Sequence, residues 1–504
     1  MIKLKKNRVL KDFDYLKKIA QYQYEKANYE NVLDIINVAA QIAYHLNFCY
    51  SDSFLESLLQ KTSTSIYPNF KKKTSIDNRY VFYDCFGWDN KGLTQQYIRY
   101  LISKKYDFLY ILETPIKDGS SDDIIQELEA YSGASIYYLD NKQSKEDQIK
   151  CLVEVINHYQ PQKAFLHLAP WSTVAVCIWT LLSHIERYQI NLTDHAFWLG
   201  TACFDFCLEF RDYGYNISKK HRNIKEEKLL LQPYYPILNK KTSFQGYPTD
   251  FIRDKIIIIS GATFYKVYGE ADMFFKLLKR IFDEIPNSIL LFAGSGDVNL
   301  FNQLLSKYEI QDKVFLLGNR KDIAEVIANG DIYLGTYPIA GGLMSQLGGV
   351  FGKPIIAYSD KNLRMNEVES LFLPLPQGIR LTYNSEIDFI SAFHQLVNDK
   401  EYRDKLSKIL QDSVISFSEF NISLDYLIES KKNTQTIKDF GIDTDRVFSL
   451  YLNAENNYIR QYDRILCSYR SIYWKSEKYF TLRVFFYFCI NNYKRIISKI
   501  KKYK

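Results

Sequence analysis

The residue types and spacings most able to do chemistry lie around residues 331–358, DIYLGTYPIAGGLMSQLGGVFGKPIIAY. The stretch reads as an apolar strand at 332–334, a Pro-containing loop, the pair Gly341-Gly342, a short helix, and a second apolar strand at 354–358 introduced by Gly-Lys-Pro. Two buried-type strands joined by such a helix predict a βαβ crossover in a parallel sheet. The glycines fall where the helix begins, so its unpaired N–H groups and positive dipole end face whatever lies above the sheet. A phosphate fits there. Taken alone, the same pair would be no more than a tight turn.

Two further groups carry chemistry in the first half. His195 directly follows Asp194 in NLTDHAFWLG, and a histidine beyond a turn-prone segment can serve as a general base on a hydroxyl or contact a sugar; a structural histidine is the plainer alternative. Gly87, Gly92 and Thr94 form a loop and helix start suited to a phosphate or an acceptor, but this GxxxxGxT lacks the Lys of a P-loop and is not an NTPase site.

The elements that must position these groups fall into four parts. Residues 1–75 are helical from about 11 to 62, with a turn near 47–52, and are similar to a single helical-hairpin repeat of the tetratricopeptide kind acting as a cap. Residues 76–250 alternate apolar strands (80–85, 108–112, 135–139, 163–168) with helices, as in a doubly wound sheet, and end in a polar, turn-rich linker over 217–250. Residues 251–385 repeat the pattern, with loops at 261–266, 294–296, 318–321 and 339–342. Ligands in such folds sit at the carboxyl ends of the strands, so these loops should open on one cleft between the domains. Residues 386–504 are helical almost throughout.

Length and composition set the limits. At 504 residues, with 47% hydrophobic and 24% charged residues, the chain holds two or three globular domains. The eight cysteines show no CxxC and no metal-like cluster, and read as buried thiols in a reducing compartment. The start, IKLKKNRVLKDFD, lacks the apolar run of a signal peptide, and no window is apolar enough to span a membrane, so a cytoplasmic location is expected. From 475 to 504 there are nine Lys or Arg and one Glu, which leaves the rest of a chain of net charge +7 close to neutral. That balance excludes nucleic-acid binding by the body and points to one local anionic partner.

Over 255–358 the segments SGATFYK, LLFAGSG, FLLGNRKDIAEVIANGDIYLGTYP and GGLMSQLGGVFGKPIIAY resemble, in order and spacing, glycosyltransferases of the GT-B fold that use nucleotide sugars, especially the retaining family 4 type. The resemblance covers roughly 75–430, and NLTDHAFWLG is similar to the segment that supplies a cleft histidine. It implies an α/β GT-B fold: two Rossmann-like domains facing a cleft, with an N-terminal helical hairpin and a C-terminal helical extension. It further implies a sugar moved from a nucleotide sugar, a UDP-sugar, to a glycan acceptor, lipid-linked and belonging to a surface polysaccharide, with a protein acceptor such as an adhesin as the alternative. Lys266 would be the diphosphate-binding cation, with Gly294, Gly296, Gly341 and Gly342 around the donor and Arg320 flanking the base. His195 and Asp194 would be the catalytic pair. No cofactor is implied, and no metal, because no Asp-x-Asp follows a strand.

The chain departs from that family in one respect. Two glutamates about seven residues apart are its mark in the opening stretch, yet 332–359 contains no acidic residue, and Glu367 and Glu369 come only later. Ser345 or Gln346 would then have to hold the ribose. The missing carboxylates also open a second class of reading, an inactive partner subunit of a transferase. The tail SEKYFTLRVFFYFCINNYKRIISKIKKYK has the composition of an interfacial helix on an anionic bilayer, or of a terminal helix packed back on the first domain.

Overall fold

The computed structural model describes residues 3–469 apart from 90–92, 114–119, 239–242 and 248–253, together with Cys489 and Tyr493. Gly92 and nearly all of the basic tail therefore lie outside the described residues.

The chain opens with α1 (Lys6–Glu25), α2 (Tyr29–Leu46) and α3 (Ser53–Ile66). The expected hairpin is thus three helices, because Ala27 turns the chain at φ +53° and Asn28 donates back to the Gln23 carbonyl at 3.0 Å. The first α/β domain follows: β1 (Ile76–Asp84), α4 (Thr94–Ser103), β2 (Asp107–Leu112), α5 (Asp122–Glu129), β3 (Ala134–Tyr138), α6 (Lys145–Tyr159), β4 (Pro161–His167), α7 (Thr173–Leu181), β5 (Glu186–Ile190), β6 (Phe206–Glu209), α8 (Asp212–Lys220) and β7 (Leu229–Leu231). The seven strands lie in the order β3-β2-β1-β4-β5-β6-β7 and pair in parallel. The stretch expected as a linker from 217 instead carries the end of α8 and the closing strand, since Leu229, Leu230 and Leu231 bury against β6.

The period of two along the strands divides the core. Tyr80 and Phe82 of β1, with Phe108, Tyr110 and Leu112 of β2, face α4 and α5. Val81 and Tyr83, with Leu109 and Ile111, face α6 and α7, and over that layer the three N-terminal helices pack. Helix α2 is apolar on nearly every side, with buried Val32, Ile36, Ala40 and Ala43 among others, because α1, α3, α6 and α7 all touch it.

The second domain contains β8 (Ile256–Gly261), α9 (Met273–Glu284), β9 (Ser288–Ala293), α10 (Val298–Lys307), β10 (Val314–Gly318), α11 (Ile323–Ala328), β11 (Ile332–Leu334), α12 (Gly342–Val350), β12 (Ile355–Tyr358) and β13 (Thr382–Tyr383). Its six parallel strands run β10-β9-β8-β11-β12-β13. The chain then returns through α13 (Glu386–Asn398), α14 (Lys400–Asp412) and α15 (Phe417–Ser430). Phe420 of α15 meets Tyr97 edge-on at 5.3 Å, and the Tyr100 hydroxyl donates to Asp425 at 2.8 Å. Finally α16 (Thr444–Ala454) and α17 (Tyr462–Leu466) pack on α2, where the Tyr462 hydroxyl donates to buried Asp12 at 2.8 Å.

At the top of the second sheet the loops after β8 and β9 are fastened to each other. Gly294 has φ +152°, and a Cβ there would stand 2.0 Å from the Ala262 carbonyl oxygen. Gly294→Ala is therefore expected to destabilise the protein by about 1–3 kcal/mol or more, read as a lowered urea midpoint. An unchanged midpoint would show that the two loops are not held in this contact.

Candidate active site

The second domain builds one wall of the cleft from backbone. After β8 a single 3-10 turn, Phe264–Val267, presents Lys266, whose Nζ donates to the Ala340 carbonyl at 3.1 Å while its own carbonyl accepts from the Ile339 N–H at 3.3 Å. Gly341 precedes α12 without any side chain capping the helix start. A Cβ on Gly341 would come within 3.3 Å of the Gly261 carbonyl, and one on Gly342 within 2.5 Å of the Tyr234 hydroxyl. The pair is thus small because the end of β8 and a first-domain tyrosine close on it. Ser345 and Gln346 are buried and seat the helix: Ser345 Oγ donates to Gly341, and Gln346 Nε2 donates to the carbonyls of Tyr234 at 2.8 Å and Leu371 at 3.1 Å.

The first domain supplies side chains. Asp194 and His195 stand on the loop after β5, and Arg211 follows β6. The Arg211 guanidinium clasps the Asp194 carboxylate at 2.5 and 3.1 Å, and from the same group Nη1 reaches across to the carbonyls of Met365 at 3.0 Å and Glu367 at 3.3 Å in the second domain. His195 Nδ1 lies 3.4 Å from Asp194. The loop backbone is held from behind, with Arg222 donating to the Asp194 and Ala196 carbonyls at 3.1 and 2.6 Å and Asn47, at the end of α2, donating to the His195 carbonyl at 2.7 Å. Gly214 of α8 lets that helix come close, for a Cβ there would be 2.4 Å from Glu209 and 2.7 Å from the Asp194 Cβ.

The electrostatics follow from burial. For Asp194, burial pushes the carboxyl up, but Arg211 and then His195 outweigh it and hold it below the usual range. His195 is shifted down, first by burial and further by Lys266 and Arg211 against the pull of Asp194, so it is neutral at neutral pH. Lys266 is pushed down to about 8 by burial and by Arg211, with Asp194 opposing. Two cations thus face one carboxylate, and the surplus positive charge stands beside the start of α12, an arrangement that favours an anion.

The other expected site residues sit at the rim or in the framework. The N–H of Gly294 donates to Gly318, and Gly296 packs on Phe264, so both shape the loops around Lys266. Arg320 is taken up by Asp322 at 2.6 Å and the Gly246 carbonyl at 3.1 Å. Gly87 turns the loop after β1 at φ +60°, and Thr94 donates to buried Asp84 at 2.7 Å, which also meets His167 at 3.1 Å. Glu369 is committed to Leu381 and Thr382, and Glu367 to Arg364. Sequence reasoning missed Arg211; its signal is a cation directly after the apolar run of β6 in CLEFRD.

No family model and no curated protein matches the sequence. Solved structures do. An O-GlcNAc transferase mutant from Thermobaculum terrenum matches with a TM-score of 0.54 at 13% identity, over 83% of this chain and 84% of that one. HepE from Anabaena in complex with UDP matches with a TM-score of 0.52 at 12% identity, over 70% of this chain and 100% of that one. The chain has the GT-B fold. A glycosyltransferase from Rickettsia africae gives the same answer, with a TM-score of 0.51 at 12% identity, over 70% of this chain and 98% of that one. In GT-B terms, Lys266 and the α12 start stand on the C-terminal half, while Asp194, His195 and Arg211 face them from the N-terminal half.

Arg211→Met strands the Asp194 carboxylate in a buried site and is expected to cost about 3–5 kcal/mol, with part recovered in Arg211→Met/Asp194→Asn. Urea denaturation of the single and double variants checks this; a single variant as stable as the parent would contradict the burial of the pair.

Proposed function

We propose that this GT-B protein is a glycosyltransferase that moves a sugar from a nucleotide sugar, a UDP-sugar, to a glycan acceptor. The reading rests above all on Lys266, which stands beside the glycine-started helix α12 and across the cleft from Asp194, His195 and Arg211. Transfer leaves negative charge on the departing diphosphate, and backbone amides, a helix dipole and a buried ammonium held beforehand in a dry cleft offset that charge without reorganising. With its Nδ1 proton turned to Asp194, neutral His195 has Nε2 available to accept a proton from an acceptor hydroxyl or to contact the sugar. HepE was solved with UDP, with UDP and glucose, and with UDP-glucose, which supports the choice of donor. We further propose a lipid-linked acceptor of a surface polysaccharide, reached with the help of the basic tail at an anionic membrane face.

One observation favours a second reading, an inactive GT-B partner subunit: 332–359 is without carboxylates, and Glu367 and Glu369 are occupied elsewhere. Calorimetry with UDP, followed by a turnover assay with UDP-sugars, separates the readings. Binding and donor hydrolysis that persist in EDTA are expected of a metal-independent enzyme; UDP uptake with no turnover would support the partner subunit, and no uptake would remove the enzyme reading.

The pH dependence has a definite sign. The protonated Lys266 binds the diphosphate, and the anion raises its pKa above the value of about 8 that it has without ligand. Between about pH 7, where the terminal phosphate of UDP is ionised, and pH 8 the affinity for UDP should be nearly flat; above it, affinity should fall by up to about tenfold per pH unit, with net proton uptake on binding. Lys266→Ala is expected to weaken UDP binding roughly 10- to 100-fold and to abolish that slope. A slope that survives in Lys266→Ala would assign it to another group.

A further inference from the structure

The end of α2 enters the same cleft and brings aromatic rings whose polar edges are unused. Tyr44 meets Trp171, on the loop between β4 and α7, edge-on at 5.1 Å, and His45 lies nearly parallel to the Trp171 ring with centroids 6.5 Å apart and planes 15° from each other. Asn37 of α2 fixes this contact by donating to the Trp171 carbonyl at 2.7 Å, and Asn47 ties the same helix end to the His195 carbonyl at 2.7 Å. From the opposite domain comes Tyr265, the neighbour of Lys266, a residue 37% exposed. The Tyr44 phenol is raised first by burial and then by Tyr265, so the two rings lie within electrostatic range of each other. Burial raises the Tyr451 phenol of α16 first, and Tyr50, Tyr44, Tyr265 and Asp194 raise it further, while the Asn47 bond ties the cluster to the candidate catalytic loop.

Among the described residues, no hydrogen bond is made by the Tyr44 and Tyr265 hydroxyls, the His45 ring nitrogens or the Trp171 indole N–H, and none of these atoms is sealed in the core. A polar edge left unpaired at a partly open site is available to a ligand. We propose that Tyr44, His45, Trp171 and Tyr265 form an acceptor subsite for an uncharged carbohydrate ring, so that the N-terminal helices complete the active site besides capping the fold.

The chemistry selects the ligand. A pyranose has an apolar C–H face, which packs on an aromatic face, and a rim of hydroxyls, which suits phenol, imidazole and indole edges. His45 is shifted down to about 4 by burial, so the four side chains carry no charge at neutral pH and suit an uncharged ring. The place suits an acceptor, since the donor diphosphate is assigned to Lys266 and α12, one residue beyond Tyr265. This inference rests on the glycosyltransferase reading, and its test separates the two.

Saturation-transfer NMR on the full chain with maltotriose, cellotriose and N,N′,N″-triacetylchitotriose, in the presence of UDP, is the experiment. Irradiating aromatic protein protons should transfer saturation to the ring C–H protons of at least one trisaccharide, and Tyr44→Ala and Tyr265→Ala should each reduce it at least fivefold. Tyr44→Ala should leave the Kd for UDP within about twofold, which also shows that this variant is folded. Transfer to a sugar without any binding of UDP would keep the subsite while removing the donor assignment. UDP binding with no transfer to any of the three sugars, transfer unaffected by both variants, or transfer only to a pool of Ser-, Thr- and Asn-containing peptides would each overturn the subsite.

Discussion

A carboxylate and a guanidinium taken out of water each lose several kcal/mol of hydration, so a cleft that buries both must hold them in contact. Asp194 and Arg211 are so placed, and the rest of the cleft is arranged around them. Arg211 spends its remaining donors on two carbonyls of the opposite domain, so one side chain neutralises the Asp194 loop and also sets its distance from the second sheet. The glycine at 214 follows from the same constraint, because α8 must approach the pair more closely than any side chain allows. Burial first, and then the nearby Arg211 cation, weaken the Lys266 ammonium, which is why an incoming diphosphate would be welcome there.

The two ends of the chain serve this cleft as well. The N-terminal helices hold the loop that bears His195 at two points: Asn47 takes the His195 carbonyl, and buried Glu56 accepts from the N–H of Gly200 at 2.7 Å. Burial raises the Glu56 carboxyl to about 7 despite those backbone donors. From the other end, α15 crosses back to the first domain through Phe420 and Asp425, and Tyr458 donates to Asp272 near the start of α9. Both domains of the fold are therefore tied to helices outside them, and their separation across the cleft is fixed from behind.

Much of this was legible in the residues. The alternation of apolar strands with helices revealed two parallel sheets, because strands buried on both faces read as continuous apolar runs. The position of Gly341-Gly342 at a helix start and of Lys266 after the first strand of its domain could be read from the chain, since both are local. What could not be read depends on contacts between distant segments. Leu229–Leu231 passed as part of a polar linker because a three-residue strand has no period to detect. Ser345 and Gln346, expected near a ribose, are turned inward to carbonyls that only the fold brings near. Arg211 and Tyr44 carry no motif, and only the packing of α8 and α2 shows what they face. Of the eight cysteines expected as buried thiols, Cys85, Cys177, Cys203 and Cys207 are buried, Cys49, Cys151 and Cys467 are half-buried, and Cys489 is exposed.

On the proposed function, the diphosphate of a nucleotide sugar binds between Lys266 and the start of α12. A crystal structure of the full chain grown with UDP tests it most directly. A β-phosphate is expected within hydrogen-bond distance of Lys266 Nζ and of the amides that open α12, with Arg211 still on Asp194. UDP bound elsewhere, or a diphosphate turned away from Lys266, would contradict it.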